Sequence, residues 1–206
     1  MMAKEKPTYM KPWLWILVMV LVIVIILVSW VIGTYNNLIS LSVAIDKAWA
    51  NVQTQYQRRF DLIPRLVNTT ISYAKFEQST LTQITQLRSQ VGQLNTQWQS
   101  TTDVAKKAQI AQQADSAISR LLAIFENYPQ LKTIDAVRAL QDELAGTENR
   151  IAVARMDYNN AVASYSAAIR YFPGNLIANM FGFTARSYFN ATTGAETAPN
   201  VPNTLV

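Results

Sequence analysis

The residues able to do chemistry in this sequence are arginines and carboxylates. Arg58, Arg59 and Asp61 fall within the run RRFD, and Glu143, Glu148, Arg150, Arg155 and Asp157 recur at helical spacing further along. Such groups can act as a paired general acid and base, hold an anion or an acidic partner, or pair with one another across packed helices. A glycosidase-like carboxylate pair needs a concave setting, yet no two acids here share a Gly-rich loop, and all seven prolines and six glycines have structural uses. The chain has no histidine and no cysteine. Zinc sites, haem ligation by His, thiol nucleophiles, Ser-His-Asp triads and Glu-x-x-His di-iron centres are thereby excluded. We assign no catalytic, cofactor-binding or metal-binding residue and expect a protein that is not an enzyme. For Arg58, Arg59, Asp61, Glu148, Arg150 and Arg155, ion pairing that fixes helix register is favoured over an anion or partner site. Two long apolar stripes otherwise slip by one turn at little cost.

These groups sit in a chain organised by its most apolar stretch, WLWILVMVLVIVIILVSWVI over residues 13–32, where Ser29 is the only polar side chain. At about 1.5 Å per residue it reaches roughly 30 Å, the thickness of a bilayer's hydrocarbon core. Trp13 and Trp15 at one end and Trp30 and Tyr35 at the other suit the membrane interfaces, where an aromatic ring keeps its polar atom at headgroup level. A cleaved signal peptide is the rival reading, but its apolar region runs only about 7 to 15 residues. Lys4, Lys6 and Lys11 precede the span, and the next basic residue after it is Lys47. The positive-inside bias then keeps the N-terminus cytoplasmic and puts the remainder on the far side of a bacterial inner membrane. The net charge of +5 comes from 18 basic residues scattered through helical patterns. No clustered basic face with stacking aromatics is present, so nucleic acid is not an expected partner.

Beyond the span, apolar residues recur every three or four positions with no strand-like alternation, which predicts an all-α fold. A first helix is expected over residues 35–76, continuing the membrane helix past Gly33, with Pro64 causing a kink or a restart capped by Asp61. A Gln-rich second helix, its seam running through Leu81, Ile84, Leu87, Val91, Leu94 and Trp98, ends before an Asp103 N-cap. Ala-rich residues 104–127 form a third helix, stopped by Tyr128-Pro129. The fourth runs over residues 134–172 and breaks at Phe172-Pro173-Gly174. Residues 1–12 read as a short tail, 35–173 as the bundle domain, 174–189 as a short apolar helix and 190–206 as a flexible tail.

Short connections make consecutive helices antiparallel, giving an N-terminal transmembrane helix that continues into an elongated bundle of two long helices and a shorter hairpin. The hairpin is too short to cover the membrane-proximal part of the long pair. Leu38, Leu41, Ile45 and Trp49, facing Tyr158, Tyr165, Ile169 and Phe172, are therefore expected to lack a full environment and to pair with other copies as a homo-oligomer. Residues 176–189 either lie in the bilayer interface or fold back and cap the base of the bundle.

Several stretches then become recognisable. They are Tyr35-Asn36, AWANVQTQYQRRFDLIPRLV (residues 48–67), ENYPQLK (126–132), LQDELAGTENRIAVARMDYNNAV (140–162) and FPGNLIANMFGF (172–183). Carrying them, the sequence resembles the LemA family of bacterial membrane-anchored helical proteins. It departs from the family at Tyr165-Ser166, where Tyr-Asn is common. The resemblance implies a single span plus an elongated helical domain, and it implies no general biochemical activity. Family members look like membrane-organising or scaffold proteins, one branch being associated with bacterial membrane organelles. The expected function is thus a self-associating scaffold, with the lipid bilayer and other membrane proteins as partners. The alternative is an extracytoplasmic ligand-binding or adaptor module of a signalling complex.

Overall fold

The computed structural model describes residues 12–73 and 75–189, and all regular structure among them is helical. Helix α1 spans Pro12–Tyr73, α2 Gln78–Ser100, α3 Val104–Glu126, α4 Asp135–Arg170 and α5 Gly174–Phe181, with a 3-10 turn at Pro129–Thr133 before α4. The two terminal tails, including Lys4, Lys6 and Lys11, lie outside the described residues. Of α1, the part from Trp13 onward is long and apolar enough to cross a membrane, and none of that apolar stretch is buried by the rest of the chain.

Pro64, where a kink or a restart was expected, sits inside α1, which continues without a restart. Its missing N–H leaves one carbonyl unpaired, but Leu62, Ile63, Leu66 and Val67 are buried on both sides of it and hold the helical path. The helix ends at Tyr73, before the expected Phe76, whose ring instead meets Tyr128 edge-on at 4.6 Å. Asp103 does cap α3, its Oδ1 accepting from the Ala105 and Lys106 N–H groups at 2.8 and 3.4 Å. The turn at Pro129–Thr133 was not anticipated. It buries Leu131 while Tyr128 leaves the helical region ahead of proline.

The chain divides into two compact units, Ala44–Ser164 with Arg186–Val206, and Met1–Val43 with Tyr165–Ala185. The first is a helical bundle whose core takes Val52, Tyr56 and Ile63 from α1, Ile84 and Val91 from α2, Ile118 and Leu121 from α3, and Leu144 and Ile151 from α4. Within it α1 and α4 run antiparallel, since Trp49 meets Tyr158 while Arg58 meets Glu143. The α2–α3 hairpin is antiparallel too, Lys107 lying over Trp98 and Tyr128 bonding to Thr80. After α5 the chain is extended, and Phe189 re-enters the bundle between Trp49 and Tyr56. Asn159 clamps it there, its Nδ2 donating to the Phe189 carbonyl and its Oδ1 accepting from the Phe189 N–H. The Tyr158 hydroxyl donates to the Ser187 carbonyl at 2.7 Å.

In the second unit α5 buries Ile177 and Ala178 against Leu38 of α1, with Val31, Tyr35, Ala168, Ile169 and Phe183 around them. Gly182 ends α5 at φ 76°, a conformation that favours glycine. The Tyr165 hydroxyl donates to the Thr184 carbonyl at 3.0 Å.

The stripe expected to lie open for self-association is therefore corrected. Leu38, Ile45, Tyr158 and Tyr165 are buried, Leu41, Trp49 and Ile169 are half-buried, and only Phe172 is freely exposed. Each unit covers its own part of that stripe with C-terminal residues, so residues 176–189 supply the covering that helix lengths left missing.

Two glycines should respond oppositely to alanine. A Cβ at Gly174 would collide with the Ala168 carbonyl oxygen, whereas one at Gly92 meets open space inside a helix. Gly174→Ala should raise hydrogen exchange and proteolysis over residues 171–185. Gly92→Ala should stabilise by about 0.5–1 kcal/mol in denaturant titration.

Candidate functional site

A three-residue charge cluster joins three helices of the bundle. Asp115 of α3 stands between Arg59 of α1 and Arg155 of α4, at 3.1 Å from Arg59 Nη1 and 3.2 Å from Arg155 Nη2. Only the Arg155 contact has hydrogen-bond geometry, so Asp115 Oδ1 and both arginine Nε atoms are buried without hydrogen-bond partners. Two guanidinium groups against one carboxylate leave the cluster cationic. Desolvation pushes the Asp115 carboxyl above the usual carboxylate range, and Glu148 adds to this, while Arg59 opposes it. Burial also lowers the Arg155 pKa.

Next to this cluster the bundle is aromatic. Trp98 packs on Tyr56 at 4.6 Å and on Phe60 at 6.1 Å. Arg155 lies over the rings of Tyr56 and Phe189. Lys107 is buried with its Nζ 4.9 Å from the Trp98 ring and 5.9 Å from Trp49, contacts that compensate a cation partly removed from water. Burial lowers its pKa. It lines a groove of about 870 Å³ together with Gln53, Gln57, Arg58, Arg65 and Gln99.

In the other unit, the expected interface residues Trp13, Trp15 and Trp30 are exposed. Tyr35 is half-buried, its ring 4.9 Å from Phe181 and 5.6 Å from Phe183. Around α5 a set of large apolar side chains faces outward: Tyr171 and Phe172 are 73% and 78% exposed, and Leu176 and Met180 are also exposed.

The LemA family matches residues 48–202, three quarters of the sequence and including every run quoted above from Ala48 onward. The chain belongs to the LemA family. It is similar to magnetosome protein MamQ 2 of Paramagnetospirillum magneticum, 26% identical over 182 residues that cover 79% of this chain and 67% of the relative. Magnetosome protein MamQ of Magnetospirillum gryphiswaldense is 25% identical with the same coverage. Protein LemA of Metamycoplasma hominis is 29% identical over 161 residues, covering 78% and 71% of the two chains.

The LemA signature runs RRFDLIPRLV and TENRIAVAR thus supply Arg58, Arg59 and Arg155. Arg58 pairs across α1 and α4 with Glu143, as the spacing proposed, whereas the partner of Arg59 and Arg155 comes from α3. Arg58 binds Glu143 at 2.6 Å near the surface, and Arg59 and Arg155 share Asp115. Asp61 accepts from Gln57 on its own helix at 2.9 Å. Arg150 lies against Gly146. Glu148 acts on Asp115 through space and lines a crevice with Arg59. Asp115 and Lys107 were missed, although both carry a signal. Asp115 is the lone acid between Asp103 and Glu126 and adjoins the Ala111, Ala114, Ile118 stripe, and Lys107 stands at helical spacing from Val104 and Ala111. Among the described residues no group of three or more acids could hold a metal ion.

Asp115→Ala leaves two desolvated arginines without a counter-charge and should cost about 3–5 kcal/mol in denaturant unfolding. The folded-state pKa of Asp115 lies above its unfolded value. Its stabilising contribution is thus complete below the unfolded value and is lost as pH rises through the folded one. Glu148→Gln removes a like charge, so a carboxyl-carbon NMR titration should show the Asp115 pKa falling and that pH-dependent loss shrinking.

Proposed function

We propose that this LemA protein is a non-enzymatic scaffold, anchored in a bacterial inner membrane with its N-terminus cytoplasmic, that self-associates and organises the membrane or its protein partners. One juxtaposition carries the proposal. Within a single compact unit, an uncovered apolar helix adjoins a collar of outward-facing Tyr171, Phe172, Leu176 and Met180. Exposed aromatic and aliphatic side chains beside a span suit the headgroup boundary, so α5 has one face on α1 and the other at the lipid surface. The magnetosome names of two relatives favour membrane organisation over catalysis. For self-association, Ile39 and Val43 are exposed one turn apart on α1 and take the place of the buried residues first considered.

The groove beside Lys107 favours a second reading, capture of a soluble ligand by the bundle as an adaptor module, without excluding an anchored scaffold. The chain has no cysteine, so single labels are easily placed. A spin label at Phe172→Cys in nanodiscs should show headgroup depth by oxygen and nickel accessibility, and full water exposure would overturn the interfacial reading. Mass measurement in mild detergent should give oligomers that dissociate in Val43→Glu; monomers throughout at micromolar concentration would leave the adaptor reading. External protease on spheroplasts should cut the bundle if the orientation is right.

A further inference from the structure

Between the end of the apolar helix and the turn that follows α4 lies a crevice of about 460 Å³. Trp30, Gly33, Thr34 and Asn37 line its α1 side; Tyr171 and Phe172 are among those on the other. Its volume falls within the range of about 300–1,000 Å³ typical of small-molecule sites. The lining changes character along α1. Trp30 belongs to the apolar stretch, while Thr34 and Asn37 bring a hydroxyl and an amide, and neither side chain makes a hydrogen bond with another described residue.

Depth decides what such a crevice can hold. Asn37 lies five residues beyond Ile32, which at about 1.5 Å per residue is roughly 7.5 Å along the helix axis. The headgroup layer adds about 5–8 Å to each side of the hydrocarbon core. The crevice therefore opens at hydrocarbon level near Trp30 and closes at headgroup level near Asn37, a gradient of polarity that a phospholipid also has. An apolar metabolite would leave the half-buried Thr34 hydroxyl unpaired and make no use of Asn37, and a soluble anion would find no cation lining the crevice.

We propose that this crevice is a binding site for one bilayer phospholipid, its acyl chain against Trp30 and Phe172 and its ester and phosphate oxygens accepting from Thr34 and Asn37. This rests on the interfacial reading of the collar. Gly33 gives a direct test, because it lines the crevice and a Cβ built there meets nothing within 4 Å, so Gly33→Leu adds apolar bulk at the site with no clash at Cβ. The full chain, purified in mild detergent with added dioleoyl phosphatidylcholine, should carry one tightly held lipid per chain in native mass spectrometry. That lipid should be lost in Gly33→Leu, with the oligomer unchanged and helicity by circular dichroism intact. Thr34→Val with Asn37→Leu should lower retention at least tenfold while leaving the crevice open. Absence of lipid from the unmodified chain, or equal retention in Gly33→Leu, overturns the site. If the Phe172 label reports headgroup depth and Gly33→Leu still retains the lipid, the crevice alone is refuted; a label in water refutes the collar as well.

Discussion

A stretch of twenty residues, nineteen of them apolar and nearly all left uncovered by the described residues, imposes the governing constraint on this protein, because water is a poor solvent for it. At about 25 cal/mol per Å² of apolar surface, leaving such a stretch hydrated would outweigh the whole stability of an ordinary domain. On the proposed reading a lipid bilayer is the solvent instead, and inside it every backbone polar group must be paired within the segment, which a helix does. The same demand explains why α1 passes Gly33 unbroken. A break there would strand carbonyls at the edge of the hydrocarbon, where a local cost of about 1 kcal/mol for glycine is much the smaller penalty.

In the bundle the matching constraint is electrostatic. Tyr56, Trp98 and Phe189 form an aromatic core, and three helices bring charged groups to the bundle, Arg59 buried and Asp115 and Arg155 half-buried. One carboxylate serves two guanidinium groups, and the surplus positive charge is met by aromatic faces, as Lys107 is over Trp98 and Trp49. Such a centre contributes little net stability over an apolar one, but it ties α1, α3 and α4 to a single residue, Asp115. A one-turn slip of any of the three would separate the charges, so the cluster serves register across three helices where the spacing argued for two.

Periodicity made the helices legible, and lone Pro, Gly and Asp residues marked most of their ends. Asp103 was readable as a cap because its chemistry is local, as was the stop at Tyr128-Pro129. Of the two expectations at Pro64, the restart did not occur, because tertiary burial of Leu62, Ile63, Leu66 and Val67 holds the helix, which no window of sequence reveals. The pairing of the arginines was hidden for a related reason. Arg59 and Arg155 stood out by spacing, but their partner came from a helix whose alanines drew attention to close packing. That residues 176–189 fold back over Leu38 was one of the two readings open in the sequence; the bonds of Tyr158 and Tyr165 were not legible, because Ser187 and Thr184 act through backbone carbonyls, which carry no side-chain signature.

The Asn159 clamp holds Phe189 by its main-chain N–H and carbonyl, the groups every residue except proline shares, while Tyr158 and Tyr165 bind two further carbonyls. Much of the specificity for this closing segment is thus stored on α4, and the segment itself supplies an extended path, the Arg186 cation near Asp46 and one ring at its end. Within the segment the side chains that add contacts of their own include Arg186, 3.9 Å from Asp46, and Phe189, while Asn159 on α4 reads only main chain. Comparative sequence reading would then rank the covering segment as expendable, although it closes both halves of the fold.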